Sequence, residues 1–167
     1  MNQTFLEAVQ SRRSVYAISD RSPLPDDEIQ KLVEQAVLHV PSAFNCQSGR
    51  VVVLFGQAHQ TLWTITTETL RKRVPAEKFS STQAKMDSFS AGHGTVLFFN
   101  DESVTQGLME QFPTYRDTFP IWAHHSAGML QFTVWTLLEQ AGLGASLQHY
   151  NPLIDEEVKA RWKLPES

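Results

Sequence analysis

A chain of 167 residues, 41% hydrophobic and 19% charged, has the make-up of one soluble domain around a single core. Its 14 Lys and Arg against 18 Asp and Glu leave a net charge of -4, and no basic run offers a footprint for nucleic acid or an anionic membrane. A single cysteine, Cys46, rules out an internal disulfide, and the first thirty or so residues lack the apolar stretch of a secretion signal, so a cytoplasmic protein is expected.

Thr4 and Glu7 form a capping box for a first helix that opens over 2–4 and turns Phe5, Ala8 and Val9 inward; Arg12 and Arg13 fall at its end. Pro25 and Asp26-Asp27-Glu28 open a second helix, where Ile29, Leu32, Val33, Ala36, Val37 and Val40 keep helical spacing until Pro41. Apolar runs over 50–55 and 95–99 read as interior strands. Between them, helices over 58–72 and 76–89 are separated at Pro75, with Leu62, Ile65, Phe79, Met86 and Phe89 facing inward. Pro120 opens a long helix through Gln140 that Gly142 closes. Its stretch 121–138 has no Asp, Glu, Lys or Arg, yet His124, His125, Ser126 and Gln131 interrupt it, so it reads as a helix buried on most faces and not as a membrane span. A short strand over 145–150 follows, and Asn151-Pro152 caps a last helix, acidic early and basic late.

Three polar segments sit at turns between these elements: Ser11-Arg12-Arg13-Ser14, then 41–50 (Pro-Ser-Ala-Phe-Asn-Cys-Gln-Ser-Gly-Arg), then 144–152 (Gly-Ala-Ser-Leu-Gln-His-Tyr-Asn-Pro). Guanidinium forks beside hydroxyls suit a phosphate dianion, with Arg12 and Ser14 the main candidates. Asn45 and Gln47, facing one way if the segment is extended, with Ser42 close behind, can read both donor and acceptor atoms of a flat ring. Each segment alone has a plainer explanation. Arginines at a helix end answer its dipole, and Ser42, Asn45 and Gln47 can simply terminate a helix.

The three segments in this order, with an apolar strand before Asn100 and an uncharged helix before Gly142, resemble the FMN-dependent nitroreductase family. Within it, Phe44 to Ser48, Gly94 to Phe99 and 144–152 are most similar to the branch of small hydroperoxide- or fatty-acid-responsive nitroreductases. The likeness spans nearly the whole chain. It implies an α+β fold, an α/β/α sandwich whose central, mostly antiparallel sheet is flanked by helices, in a homodimer with each site shared between subunits. It also implies one domain over 1–167; because the sequence stops at Leu164-Pro165-Glu166-Ser167, either the chain is truncated or this member lacks the family's carboxyl-terminal arm.

By the same resemblance, Arg12, Arg13 and Ser14 match the family's first flavin segment. Ser42, Asn45 and Gln47 match its Pro-Ser-x-x-Asn-x-Gln segment, and Gln148 and His149 match positions that contact the flavin. Where many relatives continue with Pro-Trp, Ser48-Gly49 stands here. The implied cofactors are FMN and, as electron donor, NAD(P)H, with a small-molecule oxidant as acceptor, ping-pong kinetics and no side-chain nucleophile. Lys85 is a further residue that approaches the flavin in some relatives. A cysteine hydrolase built on Cys46 lacks an evident acidic partner, and His124 and His125 point about 100 degrees apart on a helix with no further ligand for a metal. Gly142-Leu143-Gly144 lacks the third glycine and preceding strand of a dinucleotide fingerprint. A flavin binder without turnover remains the alternative to an enzyme.

Overall fold

The computed structural model describes residues 3–165, so Asn2 of the expected first helix lies outside the described residues. Helix α1 (Phe5–Ser11) carries the full capping box: the Thr4 hydroxyl accepts from the Glu7 N–H, and the Glu7 carboxylate accepts from the Thr4 N–H. Only Ala8 of its expected inner face is buried, and Phe5 is 64% exposed. Helix α2 (Asp26–His39) buries Ile29, Val33 and Ala36, and Val40 ends it one residue before Pro41.

Strands β1 (Gly49–Phe55) and β2 (Gly94–Asn100) pair antiparallel from Gly49↔Asn100 to Phe55↔Gly94. Helices α3 (Gly56–Arg71) and α4 (Phe79–Ser90) fill the excursion between them, burying Leu62, Phe79, Met86 and Phe89; Ile65 is only half-buried. The consecutive apolar residues divide by strand alternation. Val51, Val53, Val96 and Phe98 pack with Val33, Ala36, Leu130 and Val134, while Val52, Leu54, Leu97 and Phe99 pack with Leu62 and Val158. Helices therefore cover both faces of the sheet, as an α/β/α sandwich requires. Among the described residues each strand has one partner, however, so the expected interior strands form a two-stranded sheet.

Helix α5 (Glu102–Gln111) was not expected from the sequence. The long helix α6 (Phe119–Gln140) ends as Gly142 adopts φ +80°, allowing Gly142 N–H and Leu143 N–H to reach the carbonyls of Glu139 and Leu138. Contrary to the reading of a helix buried on most faces, an apolar stripe of Ile121, Met129 and Phe132 is 40–53% exposed. Residues 145–150 form no strand; Ala145 makes a single parallel bridge to Ser14, and nothing continues the ladder. The last helix, α7 (Asp155–Trp162), starts three residues later than expected, after a turn over 151–154 in which Asn151 provides no side-chain cap.

Candidate functional site

The second polar segment is a tight turn, so the extended form under which Asn45 and Gln47 would face one way is not the one adopted. Three non-glycine residues within four positions take left-handed backbone: Phe44 (φ 55°), Asn45 (φ 51°) and Gln47 (φ 52°). Each such residue costs roughly 1–2 kcal/mol, less for Asn, so the surroundings must enforce the shape. The Ser42 hydroxyl accepts from Gln47 N–H (2.9 Å), and the Ser42 carbonyl accepts from Asn45 N–H (2.9 Å). Ala43 N–H donates to Ser126 Oγ on α6 (3.3 Å). Phe44 packs among Phe112, Tyr115, Phe119 and Trp122, with ring centroids 5.2–5.9 Å away.

The far side of the turn is clamped to the strand ends. Ser48 is 1% exposed, and its hydroxyl donates to Asn100 Oδ1 at 2.7 Å while its carbonyl accepts from Asp101 N–H. Arg50 Nη1 donates to the Gln47 carbonyl at 2.6 Å, and Arg50 Nη2 meets the Asp101 carboxylate at 2.9 Å. The Ser103 hydroxyl and the Arg50 cation together hold that carboxyl below its ordinary value. Asn45 and Gln47 end up side by side, Gln47 Nε2 3.4 Å from Asn45 Oδ1. With Ser42 they line a cleft of about 330 Å³ between α2, α6 and the strand ends, whose apolar wall includes Val37, Leu38 and Leu130.

The first and third segments meet each other elsewhere. Val15 N–H donates to the Ala145 carbonyl at 3.0 Å. Gly144 makes this approach possible, since a Cβ there would stand 3.0 Å from Val15 Cγ1. Arg12 ends α1, with its guanidinium 4.2 Å over the Trp135 ring and its Nε buried without an acceptor. Arg13 folds back, Nη1 donating to the Gln10 and Arg12 carbonyls at 2.7 Å, as the plainer helix-end reading would have it. Ser14 is exposed, Gln148 is half-buried with Nε2 3.2 Å from Ser146 Oγ, and His149 is exposed. Tyr150 anchors the segment by packing edge-on against Trp63. Neither the cleft holding Ser42, Asn45 and Gln47 nor the groove between α3 and α4 includes Arg12, Arg13, Ser14, Gln148 or His149. One chain thus presents two separate groupings of the candidate residues.

The nitroreductase family model matches residues 9–167. The chain belongs to the nitroreductase family. It is 36% identical over 166 residues to HBN1 of Saccharomyces cerevisiae, spanning 98% of this chain and 82% of that protein. To the nitroreductase FRM2 of the same yeast it is 33% identical, spanning 96% of this chain and 83% of the relative. Among solved structures, nitroreductase CinD from Lactococcus lactis in complex with chloramphenicol superposes with a TM-score of 0.89 at 41% identity, covering 98% of this chain and 83% of CinD. Family membership supports an oxidoreductase role, and the yeast relatives support the FRM2-like branch.

The Cys46 thiol lies 3.5 Å from Ser48 Oγ, and no histidine is hydrogen-bonded to it among the described residues. Burial alone would push that thiol up, but its contacts with Ser48 and Ser42 outweigh burial and leave it below its ordinary value. His124 and His125 are exposed, and among the described residues no group of three or more His, Cys, Asp or Glu is placed to hold a metal ion. Lys85 is exposed, its Nζ 5.7 Å from the Phe89 ring. No described helix is long and apolar enough to cross a membrane. The sequence assigns no site role to Arg50, Asp101, Ser126 or Trp135, although Arg50 closes the second polar segment and Ser126 interrupts the apolar helix; nothing local marks Asp101 or Trp135.

Proposed function

We propose that this nitroreductase is an FMN-dependent enzyme that draws reducing equivalents from NAD(P)H and passes them to nitroaromatic, quinone or related acceptors. The two groupings complete one another across the two-fold axis of a homodimer. The observation that carries the reading is Arg12, a cation with no ion pair or hydrogen bond among the described residues and with one buried donor lacking an acceptor. Such a group fits the phosphate of FMN, and the strained carboxamide pair fits the polar edge of its ring.

On this reading, Arg12 and Ser14 grip the phosphate, with Arg13 in support. Ser42, Asn45 and Gln47 come from the partner and read the pyrimidine edge. Gln148 and His149 border the face where hydride is exchanged. FMN, when bound, supplies the two-electron carrier, so donor and acceptor can use one pocket in turn without a second nucleotide domain. The exposed stripe of Ile121, Met129 and Phe132 on α6 is apolar surface of the kind a subunit interface covers. CinD has been captured with chloramphenicol and with 4-nitrophenol, both nitroaromatic, which supports the acceptor class.

The test is a visible spectrum of the purified chain after incubation with FMN. Yellow colour that bleaches on adding NAD(P)H and returns with a nitroaromatic is the expected result. Colour that never bleaches would instead favour a non-catalytic flavin binder, and no flavin uptake would reject the proposal. Arg12→Ala is expected to lower FMN retention sharply, and unchanged retention would remove that residue from the site.

A further inference from the structure

We propose that Trp135 is a positioning residue for the cofactor phosphate, holding the Arg12 guanidinium against its indole face so that the fork is presented to the anion. The inference rests on the flavin reading above. Among the described residues three cations lie over aromatic rings, and they differ in what else they touch. Arg71, 4.3 Å over Phe79, also bonds Glu68 (3.2 Å) and Gln83 (2.7 Å), so its stacking belongs to a cation already paired. Lys85 sits 5.7 Å from Phe89 on the surface. The Arg12 guanidinium has the face of Trp135 and, among the described residues, no ion pair or hydrogen bond.

An indole face attracts a guanidinium without using any of its N–H donors, so stacking fixes the plane of the fork and leaves the donors for phosphate oxygens. The Trp135 Nε1–H is itself buried without an acceptor. Two neighbouring side chains therefore each carry an orphaned buried N–H, an arrangement folded proteins rarely leave unanswered and one that an incoming oxyanion would relieve. The platform is firm, because Val134 and Thr136 on either side of Trp135 are 2% and 1% exposed and α6 packs across α1. Arg13 already serves the carbonyls at the end of α1, so Arg12 is not needed there.

The experiment compares Trp135→Leu, which removes the ring face, with Trp135→Phe, which keeps an aromatic face and loses only the N–H. Affinities for FMN and for riboflavin, which lacks the phosphate, are measured by flavin fluorescence. Trp135→Leu is expected to weaken FMN binding about tenfold while leaving riboflavin within about twofold, and Trp135→Phe to restore FMN binding to within about threefold. Loss of FMN and riboflavin in equal measure, or no loss of either, would overturn the inference. The stacking has its own readout in the flavin-free chain: an Arg12 Nε–H resonance shifted upfield by the indole ring, returning to its usual position in Trp135→Leu. If that shift is absent in a chain that binds FMN, the inference falls alone. If the shift is present and the wild-type chain takes up no flavin, the flavin reading falls and takes the inference with it.

Discussion

Replacing Gln47 with glycine should make the protein more stable and worse at binding its cofactor. Gln47 holds φ at 52°, a conformation costing roughly 1–2 kcal/mol for a residue with a Cβ. Glycine escapes that cost but adds freedom to the unfolded chain, an offset of roughly 0.5–1 kcal/mol. The lost contact to Asn45 is long, at 3.4 Å, and exposed, so it subtracts little. A net gain of about 0.5–1 kcal/mol should raise Tm by about 1–4 °C in a domain of this size. The missing carboxamide removes up to two neutral hydrogen bonds to the ring, each about 0.5–1.5 kcal/mol, so FMN affinity should fall about tenfold. Thermal melts of the flavin-free chain and flavin fluorescence titrations measure the two effects. Gln47→Ala is the control, keeping the strain while losing the amide, so it should lose affinity without gaining Tm. A glycine variant that melts below wild type and binds FMN as well would refute the claim that strain is stored here for a ligand.

Asp101→Asn should weaken the hold of Arg50 on the Gln47 carbonyl. Because Arg50 is half exposed, we expect a modest loss of FMN affinity, a few-fold, and an unchanged affinity would show that the other bonds suffice. Thr4→Ala removes the capping box, lowering stability by about 1 kcal/mol in denaturant titrations. His59, 1% exposed, is held neutral chiefly by burial: its Nε2–H donates to the Ser90 carbonyl and its Nδ1 accepts from Thr95, whose hydroxyl oxygen accepts from Trp63. Its value lies below the ordinary 6.5, so its contribution is present above pH 6.5 and is lost as pH falls through the lowered value. His93 acts in the opposite sense: the Asp20 carbonyl, then Asp26, raise it, so its contribution is full below pH 6.5 and fades as pH rises through the raised value. In a His93→Gln background, denaturant midpoints should therefore drop on acidification below pH 6.5, and adding His59→Gln should flatten the drop; an unflattened profile would assign it to other groups.

The elements legible in the sequence are those specified by near neighbours. The Thr4–Glu7 box, the acidic opening of α2, the break at Pro75 and the glycine close of α6 all act within one or two helical turns. Alternation in the two apolar runs was hidden because both faces of the sheet are covered, so each run reads as uniformly apolar. Helix α5 escaped notice because Asp101 gives no side-chain cap and Thr105 is its one buried residue. The expected strand over 145–150 failed because its neighbour, Ser14, offers a single bridge. At the candidate site, residue types could be read but not their shape. The left-handed turn contains no glycine in Phe44, Asn45 or Gln47, and the groups that impose it, Ser126, Asn100 and Asp101, lie 51–83 positions from their partners. The Arg12–Trp135 stack is likewise a tertiary contact with no local mark.

The central claim is that each cofactor is gripped by the first and third segments of one subunit and by the Asn45–Gln47 turn of the other. Co-expression of an Arg12→Ala chain and a Gln47→Ala chain under different tags, followed by isolation of the mixed dimer, tests it directly. If the site is shared across the axis, the mixed dimer contains one intact site and one doubly altered site, and it should retain about one flavin per dimer while both parent variants retain little. A mixed dimer as poor in flavin as its parents, or a wild-type chain that holds FMN as a monomer, would contradict the account.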